Sequence, residues 1–218
     1  MEIENRNLFI EGAKSFGIYL EERDILAFDL YLKELLKWNQ KINLTAIRTE
    51  KGIVLKHFLD SLSVYPYVPH TSTLLDIGSG AGFPGIPLKI VQPSLEVILI
   101  DSVRKKVDFQ RHIIRKLGLK GMEAIHGRIQ EKAILKGLEG RFEIVMSRAF
   151  SDLRTLLVLS VPFLKKRGIV LAMKGRVNRE EIQLLSEEER VPYRLQKIIP
   201  LFLPYGSLKR SILLFEKQ

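Results

Sequence analysis

A glycine-rich segment, LLDIGSGAGFPG, occupies residues 74–85 and begins with a short apolar run. That run ends at Ile77 and predicts a buried strand, and a second apolar run at Val97–Asp101 predicts another. Between them, residues 85–91 have the length and composition of a short helix. A strand, a glycine turn, a helix and a strand begin a parallel sheet. Ligands of such sheets bind at the carboxyl ends of the strands, where glycines let the backbone come close.

The rest of the chain continues this alternation of strands and helices. Residues 103–117 predict a helix with an apolar inner face. Strand-like runs follow at residues 123–125, 142–146, 169–173, 195–202 and 211–215. The last two runs flank a Pro-Tyr-Gly turn and should pair antiparallel. We therefore predict an α/β fold with a seven-stranded, mostly parallel sheet and helices on both faces. This plan is similar to that of Rossmann-like methyltransferases that depend on S-adenosylmethionine (SAM-dependent methyltransferases).

The N-terminal part of the chain predicts helices only. Ile25, Phe28, Leu32 and Leu35 form one apolar stripe on a helix from about Glu22 to Gln40. Further helical pieces follow, broken around residues 43–45, and a Pro-rich stretch at residues 66–70 reads as a linker. We therefore expect a helical N-terminal region at residues 1–70 and a Rossmann-like domain at residues 71–218.

Composition narrows the classes of function. The absence of cysteine excludes disulfides, thiolate-bound zinc and a thiol nucleophile, and the four scattered histidines give no reason to expect a metal site. Neither a secretory signal nor an apolar run of the roughly 18 residues that span a bilayer is visible, so we expect a cytoplasmic protein without a membrane partner. Residues 73–218 carry 26 basic and 15 acidic residues, against 9 and 10 in residues 1–72. A basic surface of this kind favours a polyanionic partner, although solubility alone would also explain it.

The glycine segment fits a dinucleotide in one respect. Residues 80–85 match the G-x-G-x-x-G pattern, and Asp101 follows Gly80 by 21 residues, close to the spacing of a ribose-binding acid. A pyrophosphate, however, needs free backbone N–H groups at the start of the following helix. Pro84 and Pro87 lack that group and lie in the turn that would supply it.

The same segment fits S-adenosylmethionine (SAM) better. Residues 76–82 match the Asp-x-Gly-x-Gly-x-Gly pattern of SAM enzymes, and SAM has no phosphate to bind. Gly78 and Gly80 would allow close backbone approach, and the Asp101 carboxylate could accept hydrogen bonds from the ribose hydroxyls. Asp101 could instead cap the helix at residues 103–117, a role that Ser102 could also fill. After the third predicted strand, Gln130 and a backbone N–H could contact the adenine, or belong to a plain loop.

Residues and motifs that the sequence lacks limit the choice of methyl acceptor. Without cysteine, covalent catalysis at C5 of pyrimidines is closed. The fourth predicted strand ends in Ser147-Arg148-Ala149-Phe150, which differs from the Asn-Pro-Pro-Tyr of exocyclic-amine methyltransferases, and Arg148 stands where ribose methyltransferases carry an aspartate. What remains is an acceptor that is already nucleophilic, such as guanine N7. Its methylation needs no general base, so positioning can provide the catalysis.

Several motifs resemble one family. They are WNQKINLT at residues 38–45, HFLDS at 57–61, DIGSGAGFPGIP at 76–87, SRAF at 147–150 and KG at 174–175. In this order, from about residue 25 to the C-terminus, the sequence resembles the bacterial ribosomal RNA small subunit methyltransferase G family, also called glucose-inhibited division protein B. The resemblance implies methyl transfer from SAM to N7 of guanine 527, in the 530 loop of 16S rRNA, within the 30S subunit, with S-adenosylhomocysteine as product.

The resemblance also implies site residues. The cofactor contacts of the family fall on Gly78, Phe83, Ile129, Gln130 and Arg148. The family more often has an acid at position 130, whereas here Gln130 precedes Glu131. An amide can still accept a hydrogen bond from the adenine amino group.

Arg148 and Lys174 are the candidate catalytic residues. Arg148 could hold the cofactor carboxylate or stack near the target base, and Lys174 could contact a phosphate or the base. The candidate RNA contacts are Arg104, Lys105, Lys165, Lys166, Arg176 and Arg210, although each could be a solvated surface charge. His57 and Asp60 lie three residues apart on a predicted helix. We interpret them as a structural hydrogen-bonding pair between the two regions, and Trp38 as a core residue.

Three functions remain distinct hypotheses. The first is a monomeric RNA guanine-N7 methyltransferase. The second is a non-catalytic RNA-binding protein on the same fold, which the intact Asp101 and the loop glycines disfavour. The third is a nicotinamide-dependent oxidoreductase, which Pro84, Pro87 and the basic surface disfavour.

Overall fold

The computed structural model describes residues 1–148, 150, 152–175, 177, 182, 192–205 and 208–218. The strands in these ranges are β1 (Thr73–Ile77), β2 (Glu96–Asp101), β3 (Met122–His126), β4 (Phe142–Arg148), β5 (Leu164–Lys174), β6 (Tyr193–Phe202) and β7 (Lys209–Lys217). Within the described ranges they form one seven-stranded sheet in the order β3-β2-β1-β4-β5-β7-β6. The predicted fold class is confirmed, including the antiparallel last pair.

Strand direction brings the ends that matter for ligands to one edge. Strands β1 to β5 run parallel to one another, and β7 runs antiparallel to β5 and β6. Lys174, the last residue of β5, pairs with Ser211 near the start of β7. The turn between β6 and β7 therefore lies at the same edge as the carboxyl ends of β1 to β5. We call this the carboxyl edge of the sheet.

The helices confirm most of the predicted helical segments. They are α1 (Ile3–Lys14), α2 (Glu22–Asn39), α3 (Glu50–Ile53), α4 (Asp60–Leu62), α5 (Gly85–Val91), α6 (Arg104–Leu117), α7 (Lys132–Leu138) and α8 (Leu153–Ser160). A π-helical stretch, Val54–Leu59, joins α3 to α4, and a 3₁₀ turn lies at Tyr65–Tyr67 within the predicted linker. None of the helices formed by the described residues is long and apolar enough to cross a bilayer.

Two apolar layers cover the two faces of the sheet because side chains alternate along each strand. Leu74 faces a layer built from the N-terminal helices, α5 and α6, whereas Leu75 faces a layer built from α7 and α8. The first layer holds an aromatic cluster that includes Phe9, Phe28 and Phe58.

The N-terminal helices share this first layer with the sheet. The Tyr31 hydroxyl on α2 donates a hydrogen bond to the Ala81 carbonyl in the glycine loop, 2.5 Å away. Trp38 packs against Phe109 of α6 with ring centroids 5.4 Å apart, as expected of a core residue. Residues 1–70 are therefore positioned to shape the site at the carboxyl edge, and the domain boundary at residue 70 stays a prediction.

Candidate functional site

Backbone hydrogen bonds to β2 hold the glycine loop that follows β1. Gly78, Gly80 and Gly82 have φ values of +70°, +61° and +98°, in the region that favours glycine. The N–H groups of Gly78 and Ser79 donate to the Ile100 carbonyl in β2, at 2.8 and 3.2 Å. A Cβ on Gly78 or Gly80 would meet no atom within 4 Å, so both Cα atoms face open space.

The first turn of α5 has its N–H groups occupied or missing. Pro84 and Pro87 carry none. The Gly85 N–H donates to the Asp76 carboxyl at 2.9 Å, and the Ile86 N–H donates to a loop carbonyl at 2.8 Å. Positions 84–87, all of which the structure describes, therefore leave no donor for a pyrophosphate, as the two prolines predicted.

Asp76 is a fully buried acid beneath the loop. Its Oδ2 accepts from Gly85, and its Oδ1 has no hydrogen-bond partner among the described residues. Burial raises the pKa of Asp76 to about 8, against the lowering effects of the Gly85 hydrogen bond and the Arg148 charge. The carboxyl is therefore mostly protonated at neutral pH.

Asp76→Asn should weaken the pH dependence of stability. In the unfolded chain the Asp76 carboxyl loses its proton near pH 3.8, whereas in the folded protein it keeps the proton up to a pH of about 8. The free energy of unfolding should therefore fall as the pH rises between these two values. Asparagine retains the acceptor for Gly85 and does not titrate. Thermal unfolding from pH 5 to 8.5 should show a shallower decline in D76N than in wild type. The control is Asp108→Asn at a half-exposed carboxylate, and equal slopes in D76N and wild type would contradict the assignment.

A first cleft of about 550 Å³ opens beside the glycine loop, at the ends of β1, β2 and β3. This volume is in the range of about 300–1,000 Å³ that is usual for small-molecule sites. Four of the predicted cofactor residues line it: Gly78, Asp101, Ile129 and Gln130. They meet because each lies at or just after the carboxyl end of a neighbouring parallel strand.

Asp101 connects the elements around this cleft. Its Oδ2 accepts from the Gly80 N–H and its Oδ1 from the Val103 N–H, each at 2.8 Å. The N-cap residue of α6 is Val103, without a side-chain cap, so the alternative that Asp101 or Ser102 caps this helix is wrong. Each carboxylate oxygen of Asp101 can accept a further hydrogen bond. Its contact with a ribose stays a prediction.

The Phe83 side chain does not line the first cleft. Its ring is buried and stacks on His57, with centroids 4.6 Å apart, and on Tyr31, at 5.3 Å. The guanidinium carbon of Arg148 lies 5.1 Å from the Phe83 centroid. Phe83 thus links the glycine loop to the N-terminal helices, and its predicted cofactor contact stays a prediction.

A second cleft of about 370 Å³ opens at the ends of β4, β5 and β7. Three predicted residues line it together: Arg148, Lys174 and Arg210. Arg148 lies two residues beyond Met146, which pairs with Asp76 of β1. It therefore stands between the glycine loop and the second cleft, a position compatible with either of its two predicted roles.

Asp60 ties the N-terminal region to the second cleft. Its Oδ1 accepts from Arg210 Nε at 2.8 Å, and its Oδ2 accepts from Arg148 at 3.4 Å. Arg148 also donates to the Lys56 carbonyl at 3.1 Å. The Asp60 side chain is only 5% exposed. A buried carboxylate between two guanidiniums is compensated in charge and orients both. We call Asp60, Arg148 and Arg210 the Asp60 bridge.

His57 and Asp60 are not bonded to each other. His57 Nε2 lies 2.7 Å from Thr45 Oγ1, within the N-terminal region, so only Asp60 forms the expected hydrogen bonds between the regions. Burial, together with the nearby Arg148 charge, lowers the pKa of His57 to about 3. The imidazole is therefore neutral at physiological pH, in agreement with a structural interpretation.

The predicted RNA contacts outside the clefts lie at two edges of the sheet. Arg104 and Lys105 are exposed at the start of α6, between Val103 and Lys106, which line the first cleft. Lys165 and Lys166 are exposed near the start of β5, at the end of this strand that lies away from the carboxyl edge. Arg176 lies outside the described residues.

A protein-family model for rRNA small subunit methyltransferase G matches residues 24–211. The chain belongs to this family. The Ribosomal RNA small subunit methyltransferase G of Geotalea uraniireducens (strain Rf4) is 43% identical over 213 residues, 97% of this chain and 96% of its own length. The protein of the same name from Geobacter metallireducens (strain GS-15) is 41% identical over 219 residues, 100% of this chain and 99% of its own length.

Membership of the family confirms the resemblance read from the motifs. Both clefts are lined by residues inside the matched range. A solved structure of a SAM dependent methyltransferase from Aquifex aeolicus has a TM-score of 0.58 at 17% identity, covering 76% of this chain and 93% of that chain. This likeness shows the fold and confirms the predicted Rossmann-like methyltransferase architecture.

Two residues that brace the glycine loop in this family member were not predicted. The Tyr31 hydroxyl bonds to the Ala81 carbonyl, and the buried Gln110 amide donates to Ser79 Oγ at 2.9 Å and to the Gly80 carbonyl at 2.7 Å. An amide on the apolar face of the predicted helix at residues 103–117 was a sequence feature that could have pointed to Gln110. Nothing local pointed to Tyr31, because a tyrosine in an apolar stripe is ordinary core composition.

Proposed function

We propose that this chain transfers the methyl group of SAM to N7 of a guanine in 16S rRNA, guanine 527 of the 530 loop, and releases S-adenosylhomocysteine. The observation that carries the proposal is the family match over residues 24–211, a range that contains both clefts. The relatives' names give the reaction class, methyl transfer, and the substrate, the RNA of the small ribosomal subunit. The choice of N7 rests on the resemblance and on the chemistry of the second cleft.

The residues of the first cleft fit SAM. Gly78 and Gly80 face open space where a Cβ would stand, the Asp101 carboxylate has acceptor capacity for ribose hydroxyls, and the first turn of α5 presents no anion site. Ile129 and Gln130 line the part of the cleft near β3, where we place the adenine. When bound, SAM supplies an electrophilic methyl group on a sulfonium.

The second cleft suits an acceptor that needs no base. Guanine N7 has a free lone pair and loses no proton on methylation, and His57, neutral and bonded to Thr45, would not be required to remove one. Arg148 and Lys174 are the proposed catalytic residues. They hold the base, its phosphate or the cofactor carboxylate so that methyl and N7 approach in line, about 3 Å apart.

The RNA partner follows from the same chemistry. Guanine N7 lies in the deep groove of an A-form helix, so an unpaired or splayed-out nucleotide is the accessible form. The excess of basic residues in 73–218 provides attraction to its phosphates. We propose that the substrate is presented by the 30S subunit and that the protein acts as a monomer in the cytoplasm.

One experiment separates the three hypotheses. Purified protein is dialysed to equilibrium with radiolabelled SAM and, separately, with NADH, and is then given 30S subunits from a strain lacking the gene. We expect SAM binding, one methyl group per subunit, and 7-methylguanine at position 527 by mass spectrometry. NADH binding without SAM binding would indicate an oxidoreductase. RNA binding without methyl transfer would indicate a non-catalytic protein.

Lys105→Ala should weaken RNA binding in a salt-dependent way. Lys105 is exposed at the start of α6 and is next to Lys106, which lines the first cleft, so we expect it to contact phosphate rather than a base edge. In filter binding, the slope of log affinity against log salt should decrease by about one unit. Lys120→Ala is the matched control because Lys120 is an exposed lysine before β3, at the amino end of that strand. An unchanged slope in K105A would remove Lys105 from the interface.

A further inference from the structure

The hairpin of β6 and β7 carries exposed aromatic side chains at the carboxyl edge. Phe202, the last residue of β6, is 63% exposed, and Tyr205 in the turn is 62% exposed. Phe202 pairs with Lys209, the first residue of β7, and Lys209 Nζ lies 5.7 Å from the centroid of its ring. Exposed aromatic side chains grouped beside a cation can mark an interaction surface, and we call Phe202, Tyr205 and Lys209 the hairpin cluster.

The hairpin that carries these side chains also borders the second cleft. Arg210, the residue after Lys209, lines the cleft and donates to Asp60. Because side chains alternate along a strand, Lys209 and Phe202 lie on the opposite face of the hairpin from Arg210. The hairpin therefore borders the second cleft with the face that carries Arg210, and it carries Phe202 and Lys209 on its other face.

The chemistry of the cluster matches single-stranded RNA. Aromatic rings stack on unpaired bases of any sequence, and neighbouring lysines bind the phosphates between them. A second copy of the chain, added along the edge strand β6, is the competing occupant. The exposed Arg194 and Lys197 on β6 disfavour it, because charged side chains on an edge strand oppose pairing with another strand.

We propose that Phe202 and Tyr205 form a stacking surface for unpaired bases next to the target guanine, and that Lys209 binds an adjacent phosphate. This inference rests on the proposed function and deepens it, because it names a loop with unstacked bases as the recognised form of the RNA. The first cleft binds SAM, the second receives the guanine, and the hairpin holds the flanking nucleotides.

The test compares Phe202→Ala, Tyr205→Ala and Lys209→Ala in two assays. The first is methylation of 30S subunits from a strain lacking the gene, and the second is SAM binding. We expect F202A to lower kcat/KM for subunits about tenfold, from the loss of one stacked base, with the Kd for SAM unchanged. Phe202→Trp should retain activity. The salt slope of RNA binding should stay at the wild-type value in F202A and decrease in K209A, because stacking releases no counterions.

Ile198→Ala is the matched control, since Ile198 is 44% exposed on the same strand but away from the hairpin cluster. I198A should match wild type. The proposal is overturned if F202A and Y205A both stay within twofold of wild type, if I198A loses as much as F202A, or if F202A changes a monomer–dimer equilibrium in sedimentation and leaves methylation intact. If wild type binds no SAM and methylates no subunits, the proposed function fails as well, which separates that failure from loss of the stacking surface alone.

Discussion

A Gly78→Asp variant is expected to fold and to bind SAM at least about a hundredfold more weakly than wild type. Gly78 has a φ of +70° and no atom within 4 Å of its virtual Cβ, so a side chain there would extend into the first cleft. The new carboxylate would occupy the space that the glycine leaves for the cofactor, and it would share the cleft with Asp101. Equilibrium dialysis with radiolabelled SAM measures the loss, and thermal unfolding by circular dichroism checks the fold.

Gly118→Asp provides a control with matched backbone geometry. Gly118 has a φ of +62° and, like Gly78, no neighbour within 4 Å of its Cβ, but it follows α6 and does not line the first cleft. Both variants should lose roughly 1–2 kcal/mol of stability from the left-handed backbone. Only G78D should lose SAM affinity. Wild-type affinity in G78D, or an equal loss in G118D, would show that the glycine loop does not hold the cofactor.

The fold could be predicted because its information is local. Apolar periodicity gave α2 to within one residue at its end, and short apolar runs gave all seven strands of the described sheet. Several features escaped this reasoning, and helices α7 and α8 are among them. Strand β5 begins at Leu164, five residues before the predicted run, because the charged residues 165–167 interrupt its apolar pattern. The π-helical stretch Val54–Leu59 has more residues per turn than the helical period that the sequence was compared with.

The candidate site likewise has a part that could be predicted from the sequence and a part that could not. Gly78, Asp101 and Gln130 could be placed together because parallel strands bring their carboxyl ends to one edge. The Asp60 bridge could not be predicted, because Arg148 and Arg210 lie 88 and 150 residues from Asp60 in the sequence and no periodic pattern relates them. Lys165 and Lys166 lie at the amino end of β5, away from both clefts, so their contact with RNA stays a prediction.

Arg148→Ala is expected to lower kcat/KM for methylation of 30S subunits about a hundredfold, a loss typical of removing one positioned donor from a reaction site. The guanidinium is held by Asp60 and the Lys56 carbonyl beside the Phe83 ring. The truncation leaves Asp60 paired with Arg210 at 2.8 Å, so the buried carboxylate is not orphaned. We therefore expect the thermal midpoint to fall by only about 2–4 °C.

The two proposed roles of Arg148 predict different kinetic patterns in the same variant. If the guanidinium holds the cofactor carboxylate, the Kd for SAM rises together with the loss of kcat/KM. If it orients the guanine, the Kd for SAM stays at the wild-type value and the loss appears with the RNA substrate alone. Arg148→Lys should recover little activity in either case, because an ammonium lacks the planar fork that bridges Asp60 and the cleft. Asp60→Asn keeps both arginines but weakens their orientation, so it should fall between wild type and R148A. Wild-type kcat/KM in R148A would rule out both roles.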